Sequence, residues 1–441
     1  MRNLFIVFYC LVSALTIKAN GQDSLWKIQT TDYHGTYYGA TVANGGIGIL
    51  PWKEPFSIRH VMLNHVFDSA TPQDVSRVLR GINPFNLQMQ INGQTVNGDN
   101  ISRWEQCIDM KEATHNTHFT CDGKADVSYS ICALRNLPYA GLVRVEVTAL
   151  GDMYLTVSNP IEVPDEYKNI GSKLLNVNVN GNDIKIVRTW ALSKYREQKV
   201  SASSAFIYDK NSSVQQQYNG SGQISISLKK GEKFFFTLLG AVCTGRDFID
   251  PYNESDREVI YGAKEGLMRL MDGHRKLWNE MWKGDIVIEG DDEAQRTVRF
   301  ALYNLYSNAR KGSRLSIPPF GLSSQGYNGH IFWDTEFWMY PPMLFMNQGI
   351  ARTMMDYRTD RLEAACQKAL SYGYDGAMFP WESDDAGEEA CPTWALTGPF
   401  EHHITADIAI AAWNYYCMSG DKRWLREEGF PLMEKVAEFW V

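Results

Sequence analysis

The first half of the chain alternates apolar and polar side chains over short stretches, several of them separated by Asn-Gly or Lys-Lys-Gly turns. Because successive side chains of a strand point to opposite faces, this period of two predicts half-buried strands joined by hairpins. Residues 22–250 are therefore predicted to form a large antiparallel β-sandwich. The clearest strands are expected at residues 87–91 before Asn92-Gly93, 143–147, 175–179 before Asn180-Gly181, 184–186, 224–228 and 234–239.

After residue 250 the apolar positions recur at spacings of three and four, which is typical of helices. This spacing predicts a connecting helix over residues 256–281, within a helical linker that spans residues 251–290. The last helical pattern reaches Val441 with no residue that ends helices, so residues 291–441 are interpreted as the first part of a truncated helical domain. Its helices are expected at residues 298–305, 350–357, 404–415 with an end at Gly420, and from Pro431 onward.

The composition is that of a globular protein with more than one core. The chain has 441 residues, of which 44% are hydrophobic and 21% charged. Its net charge of −8 and the lack of a basic block argue against a nucleic-acid partner. Aromatic residues reach 12%, which suits a sugar-binding protein because sugars stack their C–H faces on aromatic rings, although a large core also uses them.

The N-terminus has the pattern of a secretory signal peptide over residues 1–21. Arg2 supplies a positive charge, residues 4–17 form an apolar run, and residues 19–21 are small enough for cleavage. An N-terminal core helix is the alternative. No later segment reaches the roughly 18 apolar residues of a membrane span. We therefore expect an exported protein, periplasmic or extracellular, that is cleaved near residues 19–22.

Seven cysteines remain beyond the predicted signal peptide, which contains Cys10. They form no CxxC pair and have no spacing typical of a metal site, so a structural role is favoured. A disulfide among Cys107, Cys121 and Cys132 is compatible with an exported protein, and the odd number leaves at least one thiol free. The other four are Cys243, Cys366, Cys391 and Cys417.

Three loop segments between the predicted helices contain the residues that could bind a substrate or take part in a reaction. Trp333-Asp334 and Trp381-Glu382 each place a carboxylate directly after a tryptophan. A carboxylate can accept hydrogen bonds from two adjacent sugar hydroxyls, and the ring can cover an apolar sugar face. Two such pairs on loops suit a monosaccharide pocket, although such a dipeptide can equally be a core ring beside an acid that caps a helix.

Three longer strings around these pairs resemble motifs of glycoside hydrolase family 65. They are Gly-His-Ile-Phe-Trp-Asp-Thr-Glu at 329–336, Pro-Trp-Glu-Ser with its acidic tail at 380–389, and His-Ile-Thr-Ala-Asp at 403–407. They occur in the order and with the spacing of that family. The resemblance covers the chain from the end of the predicted signal peptide to Val441. It implies a β-sandwich domain, a helical linker and an (α/α)6 barrel whose loops form the active site.

The resemblance also implies roles for individual residues. Asp334, Trp381 and Glu382 would bind the non-reducing glucose in the −1 subsite, and Trp333 would pack beside it. Asp334 and Glu382 would then accept hydroxyl hydrogen bonds and would not transfer protons. For the remaining motif positions, contact with the pocket and support of the loops both stay open: Tyr327, His330, Glu336, His402, His403 and Asp407.

Metal binding is not predicted, and neither is any other cofactor. His403 and Asp407 lie four residues apart on a predicted helix, which is a spacing of metal ligands, but no third ligand is signalled. A histidine in a first helical turn also often bonds a neighbouring loop. An acidic cluster could imitate a calcium site, and a solvated loop with one or two structural carboxylates is the favoured reading. This cluster consists of Asp384, Asp385, Glu388 and Glu389.

The catalytic acid and base are expected beyond Val441. Inverting glycosidases use two carboxyl groups about 6.5–9.5 Å apart, one as acid and one as base. In the family the acid is a glutamate in a Pro-Asp-Glu-Tyr-type motif after a Phe-Trp pair that resembles Phe439-Trp440, and the chain has no such motif. No catalytic residue is therefore nominated, although Asp384 or Glu388 could be proposed on chemistry alone.

The function predicted from the resemblance is that of an exported inverting hydrolase of α-linked glucosides. Its partner would be an α-glucosidic oligosaccharide or glycan, such as kojibiose, trehalose or a glucosyl-galactoside. The export signal and the runs at 338–341 and 389–392 favour the hydrolase branch that includes acid trehalases and glucosyl-galactosyl-hydroxylysine glucosidases. A disaccharide phosphorylase of the same family and a non-catalytic carbohydrate-binding fragment stay as alternatives.

Overall fold

The computed structural model describes residues 23–69, 75–209 and 213–441, so the predicted signal peptide lies outside the described residues. Within them, all strands precede the first α-helix, as the change in sequence pattern predicts. The strands are β1 (Lys27–Thr30), β2 (Val42–Ala43), β3 (Ile47–Pro51), β4 (Ile58–Ser69), β5 (Ser76–Gly81), β6 (Gln88–Ile91), β7 (Gln94–Thr95), β8 (Ile101–Asp109), β9 (Thr114–Cys121), β10 (Ala125–Ala133), β11 (Ala140–Ala149), β12 (Met153–Asn159), β13 (Tyr167–Val179), β14 (Asn182–Ser193), β15 (Lys199–Tyr208), β16 (Gln215–Tyr218), β17 (Gly222–Leu228) and β18 (Lys233–Thr244).

The described strands form three antiparallel sheets. The largest has the order β1-β8-β9-β10-β11-β18-β15-β14-β13, the second β16-β17-β12-β6-β7 and the third β2-β3-β4-β5. The two Asn-Gly hairpins occur where the sequence predicts them, since Ile91 pairs with Gln94 and Val179 with Asn182. Asn92 and Gly93 both have positive φ, which these two-residue turns require.

Alternation along the strands separates two cores. On β11, Val143 and Val145 face the main core, which β-strands of all three sheets share. Their neighbour Leu142 faces the opposite side and packs with Val259 and Leu270 of the following helices. The largest sheet is therefore covered on one face by the smaller sheets and on the other by helices, which accounts for its apolar residues on both faces.

The predicted connecting helix is two helices, and the prediction of one continuous helix is wrong. They are α1 (Pro251–Glu265) and α2 (Leu267–Met281). The break falls at Gly266, whose φ of 82° lies outside the helical region and is accessible mainly to glycine. Spacing alone missed it because the apolar positions keep their period across the break.

The remaining helices include those at the four predicted places, and Gly420 ends α8 with a left-handed φ of 64° as predicted. Four short helices, α4, α6, α7 and α9, were not predicted. Among the described residues no helix combines the length and apolar character needed to cross a membrane. The helices are α3 (Asp292–Asn308), α4 (Tyr340–Met346), α5 (Gln348–Thr359), α6 (Leu362–Ser371), α7 (Thr397–Phe400), α8 (His403–Ser419), α9 (Lys422–Trp424) and α10 (Phe430–Trp440).

Helices α4, α5, α6, α8 and α10 pack on one another around buried aromatic and aliphatic residues. Two π-helical turns, Thr335–Met339 and Leu425–Gly429, lead into α4 and α10. The Tyr340 hydroxyl donates a hydrogen bond of 3.1 Å to the Ala411 carbonyl and so ties α4 to α8. A helical region therefore follows the sheets, while its closure into an (α/α)6 barrel stays a prediction.

The seven described cysteines are free thiols, so no disulfide forms among Cys107, Cys121 and Cys132. Cys132 is buried, and its sulfur lies 3.5 Å from Nε2 of His274 on α2. Burial raises the pKa of Cys107 to about 12. Cys121, Cys132 and Cys243 are buried and pack as small apolar groups.

The carboxylate of Glu258 on α1 is a partly buried charge. Its Oε2 atom has no hydrogen-bond partner in the described part of the chain. Burial first, and then the nearby Glu254 carboxylate, raise the pKa of Glu258 from its ordinary value of 4.5 to about 7. The folded protein thus binds a proton here more tightly than the unfolded chain, and its stability falls as the pH rises from about 4.5 to about 7.

We expect Glu258→Gln to remove this loss of stability. At about pH 8 the variant should unfold at a higher temperature than the parent, and at about pH 4, where this carboxyl is protonated in both states, the two should unfold alike. Calorimetry at both pH values measures the difference. Glu265→Gln, on the same helix and 3.9 Å from Arg269, is the control and should show no gain at pH 8. An equal gain at both pH values would contradict the account.

Candidate sugar-binding site

Backbone and side-chain hydrogen bonds join the three motif segments. Ile331 and Ser383 exchange two backbone hydrogen bonds of 2.9 Å, so the first loop runs beside the second. The Phe379 amide of the second loop donates to the Thr405 hydroxyl at the start of α8, over 2.9 Å. Ile331, Ser383, Phe379 and Thr405 are all buried. The three segments lie up to 77 positions apart in the sequence, from His330 to Asp407, and form one assembly in the structure.

An aromatic cluster forms where the three segments meet. The His403 ring lies edge-on between two tryptophans, 5.1 Å from Trp333 and 5.3 Å from Trp381. Its Nδ1 lies 2.7 Å from a carboxylate oxygen of Asp407, one helical turn further along α8. Both tryptophans are half-buried, while 44% of the His403 side chain is exposed. The cluster thus offers aromatic and polar groups together at an accessible surface.

Glu382 is held from below by His330. The His330 ring is fully buried, and its Nδ1 lies 2.9 Å from Oε2 of Glu382. Its Nε2 lies 2.8 Å from the main-chain carbonyl oxygen of Ser76, which belongs to β5 of the sheet domain. The ring also stacks on Phe67 of β4, with centroids 5.7 Å apart and planes 7° apart. His330 therefore supports Glu382 from beneath the surface.

Glu389 shapes the loop that carries the second tryptophan–acid pair. Its carboxylate accepts from the backbone amides of Trp381 and Glu382, at 2.8 and 3.0 Å, and from the Lys368 ammonium of α6 at 2.5 Å. Charge-assisted bonds of this kind fix the backbone direction at both residues. Glu389 thereby determines where the side chains of Trp381 and Glu382 leave the loop.

Asp384 and Asp385 of the acidic cluster also have structural partners. Asp384 Oδ1 accepts from the amides of Ala386 and Glu388, at 2.9 and 3.0 Å. The Asp385 carboxylate lies 2.9 Å from Nη1 of Arg196. Across the described residues no group of three or more His, Cys, Asp or Glu side chains could hold a metal ion. Asp384 and Glu389 fix the loop through bonds to backbone amides, and Asp385 pairs with Arg196.

Glu336 forms an ion pair with Arg358 of α5. Two hydrogen bonds of 2.8 Å join the carboxylate to Nε and Nη2, and both side chains are fully buried. Burial lowers the pKa of Arg358, and the opposing effect of the Glu336 carboxylate exceeds it, so the net direction is upward. Nη2 of Arg358 also donates to the Phe332 carbonyl. Of the two roles left open by the sequence, this geometry favours support of the loop.

The remaining predicted residues lie around the cluster. Asp334 is half-buried in the turn before α4, directly after Trp333. Tyr327 is 60% exposed, and its ring packs on those of Phe320 and Phe332. Nε2 of His402 donates a hydrogen bond of 3.0 Å to the Pro399 carbonyl, and the ring lies beside those of Tyr374 and Phe439. Tyr327 and His402 thus lie in neighbouring aromatic groups.

Two surface cavities of the described chain, of about 340 and 310 Å3, lie elsewhere. The first is lined by Arg188, Trp190 and Tyr252, and the second contains Arg246 and Arg310. Neither includes a residue of the three motifs. The candidate site is therefore the accessible cluster of Trp333, Trp381 and His403. The sequence motifs identify this cluster, whereas the sizes of the cavities do not.

Sequence reasoning missed the supporting residues of the site. Ser76 and Phe67 come from the sheet domain, while Lys368 and Arg358 come from helices outside the three motifs. No local pattern marks these residues, because each is a common residue type within an ordinary strand or helix. Only the tertiary packing brings them to the loops.

Comparison with known proteins agrees with this fold. Residues 39–281 match the N-terminal domain of glycosyl hydrolase family 65, and residues 299–441 match the central catalytic domain of that family. The chain belongs to glycosyl hydrolase family 65. Over 95% of its length it also superposes on 59% of a solved structure provisionally described as a kojibiose phosphorylase from human microbiome, with a TM-score of 0.79 and 15% identity.

The relatives of this chain include both hydrolases and phosphorylases. The chain is 40% identical to a kojibiose hydrolase of Flavobacterium johnsoniae and 36% identical to one of Mucilaginibacter mallensis, over 99% and 100% of its length. It is 38% identical to a kojibiose phosphorylase of Thermoanaerobacter brockii over 42% of its length and 26% of that protein. The chain spans 65% and 66% of the two hydrolases, which is about two thirds of their length.

Proposed function

We propose that the chain contains the glucose-binding part of an enzyme that hydrolyses α-linked glucosides with inversion. The proposal depends on one observation: Trp333, Trp381 and His403 lie together. Next to Trp381 is the Glu382 carboxylate, which His330 supports. Rings that cover an apolar sugar face and carboxylates that accept hydroxyl hydrogen bonds are the groups a monosaccharide requires.

In this proposal Asp334 and Glu382 bind the glucose that is transferred. The oxygen of a water molecule forms a bond to the anomeric carbon while the bond to the leaving oxygen breaks. The water loses a proton to a base, and the leaving oxygen gains one from an acid. We assign neither proton transfer to a residue of this chain, because the motif carboxylates have the surroundings of hydrogen-bond acceptors.

The extent of similarity favours water over phosphate as the attacking group. The two hydrolases match over the sheet domain, the linker and the helices together, while the phosphorylase matches over less than half of the chain. An α-glucobiose such as kojibiose is therefore the substrate class that we propose. Trehalose is another α-glucobiose, and glucosyl-galactosides are further α-linked glucosides that this proposal includes.

The test is an assay of the complete protein with kojibiose, trehalose, nigerose and maltose, with and without inorganic phosphate. We expect glucose as the only product, released first as the β-anomer, at a rate that phosphate does not change. Polarimetry or NMR of the fresh product identifies the anomer. Formation of glucose 1-phosphate as the main product would establish the phosphorylase instead, and no turnover of any disaccharide would reject both.

We also propose that the protein is exported. Arg2 followed by the apolar run at residues 4–17 supports this proposal. N-terminal sequencing of the mature protein from its native host tests it. A first residue near position 20–22 is expected, and a mature chain that begins at Met1 would contradict it.

A further inference from the structure

The contacts of His330 define where its protons lie. The partner of its Nε2, at 2.8 Å, is the main-chain carbonyl oxygen of Ser76, which can only accept a hydrogen bond. Nε2 therefore carries a proton. A neutral imidazole has a single N–H, so Nδ1 then has none of its own to donate.

The contact at Nδ1 requires a second proton. Nδ1 lies 2.9 Å from Oε2 of Glu382, and a hydrogen bond there needs a proton on the ring or on the carboxyl group. In either state one proton lies between His330 and Glu382, and the two groups together carry no net charge. Because the His330 ring is fully buried, water cannot substitute for either partner.

The same contact leaves the second oxygen of Glu382 available. No hydrogen bond to Glu382 Oε1 occurs within the part of the chain that the structure describes, and the side chain is 10% exposed. The backbone on both sides is fixed, since the Glu382 amide donates to Glu389 and the Ala390 amide donates to the Glu382 carbonyl. Oε1 is therefore the oxygen that can meet a ligand.

We infer that His330 is a positioning residue that holds Oε2 of Glu382, so that Oε1 faces the glucose. The inference rests on the proposed function and adds to it a role for the sheet domain. The carbonyl of Ser76 on β5 keeps a proton on Nε2 of His330, and the Ser76 hydroxyl lies 3.2 Å from Nε2 and 3.4 Å from Asp384 Oδ2. The orientation of a sugar-binding carboxylate in the helical region is thus determined by a strand of the sheet domain.

The loop before His330 is fitted closely to the same strand. Tyr327, Asn328 and Gly329 all have positive φ, and a Cβ atom on Gly329 would lie 2.4 Å from Val78 of β5. Asn328 also accepts a hydrogen bond of 2.9 Å from Nε of Arg77. Such backbone costs energy for non-glycine residues and persists only where the surroundings impose it. The register of His330 against Ser76 is therefore fixed.

Two substitutions separate the contacts of the ring. In His330→Asn the amide nitrogen can take the place of Nδ1 and donate to Glu382, while the contact with Ser76 is lost. In His330→Gln the amide nitrogen can take the place of Nε2 and donate to Ser76, while Glu382 loses its donor. Losing a hydrogen bond to a charged group corresponds to about 10- to 100-fold in affinity.

We expect calorimetry to show glucose binding weakened about 10- to 100-fold in His330→Gln and less than about threefold in His330→Asn. The unfolding temperature should fall at least as far in His330→Asn, which loses the bond between the domains. A purely structural histidine predicts the reverse, with affinity that follows stability. Equal losses of affinity in both variants, or a greater loss in His330→Asn, would overturn the inference.

A measurement on the wild-type ring covers the case in which both variants unfold. In protein labelled with 15N-histidine, Glu382→Gln should move the Nδ1 resonance of His330 and leave the Nε2 resonance nearly in place. An unchanged Nδ1 resonance would overturn the inference. This result does not depend on turnover, so it stands apart from the disaccharide assay: failure of the assay rejects the proposed function, and an unchanged Nδ1 rejects the positioning role.

Discussion

Asp334→Ala and Glu382→Ala are each expected to lower kcat/KM of the complete enzyme by about 100- to 10,000-fold, because each removes a carboxylate that can accept two hydroxyl hydrogen bonds worth about 1.5–3 kcal/mol each. Asp334 is half-buried, and within the described residues its carboxylate makes no hydrogen bond that the substitution would break. Its variant should therefore unfold at nearly the parent temperature. Glu382→Ala should unfold somewhat earlier, because it leaves His330 Nδ1 without its partner.

The control is Glu388→Ala. Glu388 is an exposed carboxylate of the same loop, and its amide donates to Asp384 independently of its side chain. We expect its kcat/KM to stay within about twofold of the parent, as is usual for exposed positions. The assignment of Asp334 and Glu382 to the glucose-binding site would be refuted if either alanine variant kept the kcat/KM of the parent. Circular dichroism should show that the variant is folded.

Arg358→Met is expected to lower the free energy of unfolding by about 3–5 kcal/mol, since it leaves the Glu336 carboxylate buried without its counter-charge. Both side chains are fully buried, and two hydrogen bonds of 2.8 Å join them. The variant also leaves the Phe332 carbonyl without the hydrogen bond that Arg358 donates, which adds to the loss of stability. Urea denaturation followed by tryptophan fluorescence measures the change.

Two further variants test the cause of this effect. Glu336→Met combined with Arg358→Met should recover part of the lost stability, because neither charge then remains buried. Arg423→Met breaks an ion pair with Glu427 in which the arginine side chain is 82% exposed, and should leave the free energy of unfolding almost unchanged. A similar small cost for Arg358→Met would contradict the importance of the buried pair.

Local patterns in the sequence predict much of the fold. The hairpins at Asn92-Gly93 and Asn180-Gly181 depend on backbone conformations that those residues favour, and period-two alternation marks the strands beside them. The end of α8 depends on one glycine in the same way. The break at Gly266 was not predicted, because an isolated glycine inside a helical pattern is usually tolerated.

The site is predictable only in part. Its exposed members lie in continuous strings whose order resembles a family, which is why Trp333, Trp381 and His403 could be named in advance. Their supports lie on distant segments and have no local signature: Ser76 acts through its main-chain carbonyl, so even its side-chain identity is a weak signal. The sequence also left the role of Glu336 open, because only its partner Arg358 distinguishes support from contact.

The proposed glucose site is tested most directly by a crystal structure of the complete protein with glucose bound. We expect a glucose ring against Trp381 and Trp333, with hydroxyls bonded to Asp334 and to Oε1 of Glu382, while Oε2 remains on His330. Glucose bound in another place, or hydroxyls bonded to Oε2 with the His330 contact broken, would contradict the proposal.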